Sequence, residues 1–178
     1  MKVAGCGKGK VLNDDEFRKI KENIHLKYQI FFDIMWETGA RVSEVCKLRF
    51  IDLVNNTLVL RKTNTKTKET REIPISPALV SKIQKLPQEN GYMFSGRGGQ
   101  GHISRYMIDK VLRGACDKAN IKGVSTHSFR RTTITELSRN NISLRVIQNI
   151  SGHRNLNVLQ GYVDVSEEEV SYALSTRW

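Results

Sequence analysis

The spacing of apolar residues changes period twice along this chain, and that confines it to a mixed architecture. From Asn13 to about residue 48 the apolar side chains recur every three or four positions. Over residues 51–75 they fall in short, strand-like runs, and from residue 77 onward helical spacing returns. A sequence patterned for one period exposes its apolar face if it is folded with the other. The pattern therefore predicts an α+β fold, mainly α-helical, with a small three-stranded antiparallel sheet set between helical segments.

Local signals refine this. Asn13-Asp14-Asp15-Glu16 reads as a helix start, with Asn13 as N-cap and Glu16 bonding back, before Phe17, Ile20 and Ile24. A second helix is predicted over residues 26–37, with Ile30, Phe31, Ile34 and Met35 as its apolar stripe and Gly39 as its stop. Residues 43–48 read as a short third helix. Strands are predicted over 57–60 and 71–75 around a polar turn at 63–70, with a third short strand over 51–54 before Asn55-Asn56. Pro74 lacks an N–H and places its strand at an edge. Further helices are predicted over 77–86, after Ser104 (carrying Met107, Ile108, Val111, Leu112 and Ala115), from Thr126 or His127, and over 143–150, 155–162 and 166–174. Residues 91–101 read as a loop. Its Gly96-Arg97-Gly98-Gly99-Gln100-Gly101 run fits a dinucleotide fingerprint in letters alone, because no βαβ unit surrounds it.

At 178 residues the chain is expected to form a single domain, 1–178. It has no apolar run near ~20 residues, so no membrane-spanning segment is expected. The basic, Gly-rich start has no apolar stretch after it and does not read as a secretory signal. Cys6, Cys46 and Cys116 are scattered, with no CxxC, which fits a reducing cytoplasm. The four His do not cluster with Cys or acids at ligand spacing, so no metal and no cofactor are expected. The formal charge of +11 points to a polyanionic partner, most simply nucleic acid. Residues 97–131 hold eight Lys and Arg against Asp109 and Asp117, whereas the tail after Tyr162 is acidic.

Within this frame an ordered set of polar residues stands out: Arg41, Lys66, His127 with Arg130, His153 and Tyr162. Together they supply what attack on a phosphodiester requires. Arg forks hold a phosphate that gains negative charge as it becomes pentacoordinate, a task for which Lys is less suited. Lys and His can move protons, and Tyr can be the nucleophile. A phenol has a pKa of about 10 and needs such help near neutrality. His127 and Arg130, three apart, share a helix face. Glu44, three after Arg41, is placed to orient its guanidinium.

These stretches, namely residues 38–48, the hairpin at 66–74, 127–130, 151–153 and Tyr162, resemble in order the catalytic domain of the tyrosine recombinases, or phage integrases, across residues 13–174. The resemblance implies that family's DNA breaking-rejoining fold and a role for each position. Arg41 and Arg130 would bind the scissile phosphate, with Glu44 in support. Tyr162 would form a 3′-phosphotyrosine, His127 would assist proton transfer and His153 would bond the phosphate. Lys66, eight residues before Pro74, would protonate the leaving 5′ oxygen, with Lys68 as the alternative. The implied function is site-specific recombination of double-stranded DNA without metal or ATP, as in DNA integration by mobile elements, in the cytoplasm and at the nucleoid. The implied assembly is a homotetramer on DNA and a monomer when free, the helix at 166–174 docking on a neighbour or on its own core. Such enzymes usually carry an N-terminal core-binding domain, absent from this chain, so weak and salt-sensitive DNA binding is expected. The alternatives are a type IB topoisomerase-like relaxing enzyme and a non-catalytic DNA-binding relic.

Overall fold

A computed structural model describes residues 9–63, 69–162 and 174–175. Three helices open the chain: α1 (Asp14–Glu22), α2 (Leu26–Thr38) and α3 (Val42–Cys46). A 3₁₀ turn (Phe50–Asp52) leads into a sheet of β1 (Leu53–Val54), β2 (Thr57–Leu60) and β3 (Arg71–Pro74). Five helices follow: α4 (Pro77–Gln84), α5 (Arg105–Lys118), α6 (Thr126–Arg139), α7 (Leu144–Ser151) and α8 (Leu156–Gln160). The expected mixed fold, mainly helical, is the one observed.

The predicted caps form. The Asn13 side chain accepts from the Glu16 N–H at 2.8 Å, and the Glu16 carboxylate accepts from the Asn13 N–H at 3.4 Å. Gly39 adopts a left-handed φ of 59° and its N–H closes α2 on the Met35 carbonyl at 3.0 Å. Several boundaries shift by one or two residues, β3 ending at Pro74, α4 at Gln84 and α8 at Gln160, and two further differences stand out. The third helix is shorter than 43–48, and residues 50–52 form a 3₁₀ turn where a strand over 51–54 was expected. Asp52 is the reason for the second difference: its buried carboxylate accepts from the Arg49 N–H at 2.9 Å and pairs with Arg61. That local bond competes with ladder pairing, so only Leu53 and Val54 reach β2.

The sheet is antiparallel in the order β1-β2-β3, so Pro74 does lie on an edge strand. Asn55 and Asn56 both have positive φ, 46° and 63°, as a tight two-residue hairpin turn requires. Register is Leu58 to Ile73 and Leu60 to Arg71. Leu58, Leu60, Ile73 and Arg71 are all buried, so an arginine takes the inner face at the start of β3.

The core is organised on α2, which is buried nearly all round. Phe32 stacks on Phe129 of α6 with ring centroids 4.9 Å apart, and Phe17 of α1 stacks on Trp36 at 4.3 Å. Each fully buried Phe contributes about 2–3 kcal/mol by transfer from water. Asp33, buried on α2, ties the helices together by pairing with Lys21 of α1 at 3.0 Å and Lys82 of α4 at 2.7 Å. A separate small cluster, Ile134, Ile147 and Leu159, holds α6, α7 and α8 together, and Tyr162 packs against it. Among the described residues no helix is long and apolar enough to cross a membrane.

Candidate active site

Gly39 ends α2 and turns the chain so that Ala40 is buried and Arg41 stands at the N-cap of α3. The Gly39 carbonyl, freed by that turn, accepts from Arg130 Nη1 at 2.8 Å. One glycine thus both aims Arg41 and anchors Arg130. Glu44, only 1% exposed, accepts from Arg41 Nη1 at 2.9 Å through Oε1 and from the Arg41 N–H at 2.9 Å through Oε2. One carboxylate thus holds both the backbone N–H and the guanidinium of Arg41.

From α6, Arg130 points inward, 6% exposed, while His127 three residues earlier is exposed at the rim. Arg130 Nη2 donates to the Ser151 carbonyl at 2.5 Å and lies 3.1 Å from His153 Nδ1. Gly152 closes α7 with φ 64° and brings His153 into the site directly afterwards. After α8, the Tyr162 N–H closes on the Leu159 carbonyl at 2.9 Å, and the Tyr162 ring lies 6.4 Å from that of His153. Arg41, His127, Arg130, His153 and Tyr162 line one cleft of about 440 Å³, with Gly9, Arg131, Val158 and Gly161. A larger cavity of about 730 Å³ lies between β3 and α7. It shares His153 with the cleft but contains neither Tyr162 nor Arg130, so the convergent chemistry is in the smaller space. Lys66 and Lys68 lie outside the described residues, as does most of the predicted tail helix.

The electrostatics favour an anion in this cleft. Burial, then the neighbouring Arg41, lowers the Arg130 pKa to about 9. The guanidinium therefore stays charged at neutral pH. Burial, then Arg130, Arg41 and Arg71, lowers the His153 pKa to about 4. A neutral ring suits its contacts: Ser151 Oγ is 2.8 Å from Nδ1, and Arg130 is a donor only. Arg130 Nη2 is nearer Nδ1, at 3.1 Å, than Nε2, at 3.3 Å, so Nδ1 is taken as the acceptor and the ring proton is assigned to Nε2.

This has a measurable consequence. Between its folded pKa of about 4 and its ordinary value of 6.5, the folded protein binds fewer protons at His153 than the unfolded chain. Stability tied to the ring is therefore complete above that window and is lost as pH falls through it. Without DNA, the Tm of the wild type is expected to fall relative to that of His153→Gln between pH 6.5 and 4. Parallel curves would show that the ring carries no such linkage.

Arg71 is the site residue that the sequence reading did not single out. It is 7% exposed, and its Nη2 donates to Glu44 Oε2 at 2.7 Å. The signal was present in the alternation. Arg71, Ile73 and Ile75 share one strand face, and two isoleucines demand that the face be buried. A charge on such a face needs a partner and a reason.

Comparison with known proteins bears on the family and the fold. The sequence profile of the phage integrase family matches residues 10–169. A tyrosine recombinase of Thermosipho africanus is 27% identical over 164 residues, covering 89% of this chain and 58% of the relative. Tyrosine recombinase XerA of Pyrococcus furiosus is 28% identical over 174 residues, covering 93% of this chain and 60% of the relative. The chain thus spans about three-fifths of the curated relatives it matches. Among solved structures, the Tn1549 transposon integrase in complex with a circular intermediate DNA superposes with a TM-score of 0.82 at 18% identity, covering 98% of this chain and 67% of that one. The XerA recombinase crystal structure gives a TM-score of 0.74 at 20% identity, covering 99% and 66%. These likenesses establish the fold as that of the tyrosine recombinase catalytic domain.

Proposed function

The chain belongs to the phage integrase family, and on that premise we propose that it cleaves and rejoins double-stranded DNA at specific sites through a covalent phosphotyrosine. The observation that carries this reading is the convergence of Arg41, Arg130, His153 and Tyr162 on one cleft. In this reading Arg41 and Arg130 hold the non-bridging oxygens of the scissile phosphate, and His153 donates to one of them from Nε2. Tyr162 Oη attacks phosphorus and loses its proton, with His127 at the rim to help carry it. The new O–P bond replaces the bond to the 5′ oxygen, which leaves as a hydroxyl. The proton for that oxygen is assigned to Lys66, with Lys68 as the alternative. The adduct is still a phosphodiester, so attack by another 5′ hydroxyl reverses the step without ATP. The cluster has three guanidiniums (Arg41, Arg71, Arg130) and one carboxylate (Glu44), which leaves an excess of positive charge for an anion that gains charge in the transition state.

The proposed partner is a DNA duplex, with a tetramer on DNA and a monomer when free. The proposed place of work is the nucleoid. As a single catalytic domain over 1–178, the chain is expected to bind DNA through phosphate contacts that weaken steeply with salt, log K falling by about 0.9 per contact per decade of salt. A duplex nicked next to the scissile phosphate, which after cleavage releases the short fragment bearing the freed 5′ hydroxyl, tests the chemistry directly. Accumulation of a covalent protein–DNA product is the expected result, and none on any duplex carrying the protein's site would refute the proposal. Strand-transfer products without relaxation of supercoiled plasmid would then separate recombination from topoisomerase-like swivelling.

A further inference from the structure

Among the described residues, Arg71 touches none of the reacting groups assigned above, yet it is buried as deeply as Arg130. We propose that Arg71 is a positioning residue, which clamps the start of β3 to the end of α7 and to Glu44 and so sets where Arg41 and His153 stand for strand cleavage. The proposal rests on the cleavage reading above.

Three consecutive carbonyls at the end of α7 are each taken by a different arginine. Arg71 Nη1 donates to Ile150 at 2.6 Å, Arg130 Nη2 to Ser151 at 2.5 Å and Arg41 Nη2 to Gly152 at 3.4 Å. The last carbonyls of a helix lack partners within it and carry its negative dipole end, so cations collect there. Arg71 differs from the other two in what it joins. It enters from the sheet, at the foot of the hairpin that carries Lys66, and pairs across to Leu60. It also shares Glu44 with Arg41: Oε2 accepts from Arg71 Nη2 at 2.7 Å and from the Arg41 N–H at 2.9 Å, while Oε1 accepts from Arg41 Nη1 at 2.9 Å. Moving Arg71 therefore removes one of the three bonds that fix the carboxylate on which the Arg41 guanidinium rests.

The contact with α7 is equally close. A Cβ on Gly152 would lie 2.8 Å from Arg71 Nε and 2.9 Å from Cδ and Cζ. Gly152 also has φ +64°. Bare backbone thus rests on the guanidinium plane, immediately before His153. Among the described residues, Arg71 Nε is buried with no hydrogen-bond partner. The guanidinium is thus held by its two terminal nitrogens, which are the ones that bridge Glu44 and α7.

The test uses Arg71→Lys, which keeps the charge and loses the fork, and Arg71→Met, which keeps the stem alone. Single-turnover adduct formation on the nicked duplex, DNA affinity, and NMR titration of the His153 ring (assigned with His153→Gln) are measured together. His153 faces Arg130 from α6, Arg41 at α3, Arg71 from β3 and Tyr162 after α8. The expected result is adduct formation slowed about tenfold or more in both variants, as for other misplacements of a reacting group, with DNA affinity little changed. In Arg71→Met the His153 ring also titrates higher than in the wild type, because one of three nearby cations is gone. Wild-type rates in Arg71→Lys would assign the residue to charge balance alone and overturn the proposal. If Arg71→Met does not fold, Arg71→Lys decides by its rate. If the wild type forms no adduct, the cleavage reading fails separately, and a His153 titration unmoved in both variants overturns the positioning role by itself.

Discussion

Tyr162→Phe is expected to give no covalent protein–DNA product on the nicked duplex, a loss of at least ~10⁴ in rate, because removing the nucleophile of a covalent enzyme removes the step itself. Of the described residues that line the cleft, Tyr162 alone carries a hydroxyl. The ring packs against Ile134, Ile147 and Leu159, and phenylalanine keeps that packing. The variant should therefore fold and bind DNA as the wild type does, which separates lost chemistry from lost structure. Adduct surviving in this variant would place the nucleophile elsewhere and end the assignment.

Arg130→Lys is expected to lower the rate of adduct formation by about 10²–10³, the usual cost of removing one fixed donor from a developing oxyanion. The substitution preserves charge, so its effect isolates geometry. Arg130 spans two carbonyls from different elements, Gly39 at the end of α2 and Ser151 at the end of α7. It also meets the His153 ring. A single ammonium cannot span those points while offering a bidentate face to phosphate. DNA affinity should change much less than rate, since most of the binding free energy comes from other phosphates. An equal loss in both would mean that Arg130 serves ground-state binding only.

Much of the fold was legible because its determinants are local. The Asn13–Glu16 capping box, the Gly39 stop and the Ser104 cap each depend on atoms within a few residues, and each formed where expected. The strand expected over 51–54 fell short because a buried carboxylate, Asp52, captured the Arg49 N–H. That competition depends on burial, which the sequence shows only indirectly. Arg71 was passed over for the same reason. As a letter in a strand it is ordinary, and only its inward parity beside Ile73 marks it.

The candidate site divides in the same way. Residue types, their order and the basic charge pointed to phosphodiester chemistry and a nucleic-acid partner, and the resemblance to the tyrosine recombinases implied the roles of Arg41, Arg130, His153 and Tyr162. Which side chains meet was decided by packing alone. Arg41 and Gly152 are 111 residues apart, and Arg130 and Gly39 are 91 apart, yet each pair shares a hydrogen bond. Those contacts exist because α6 packs on α2 through Phe129 and Phe32, and because α7 is fastened to β3 through Arg71. Periodicity and caps are written in short stretches of chain, where neighbours in sequence are neighbours in space. The three-arginine grip on one helix end is a long-range product of core packing, and no short stretch contains it.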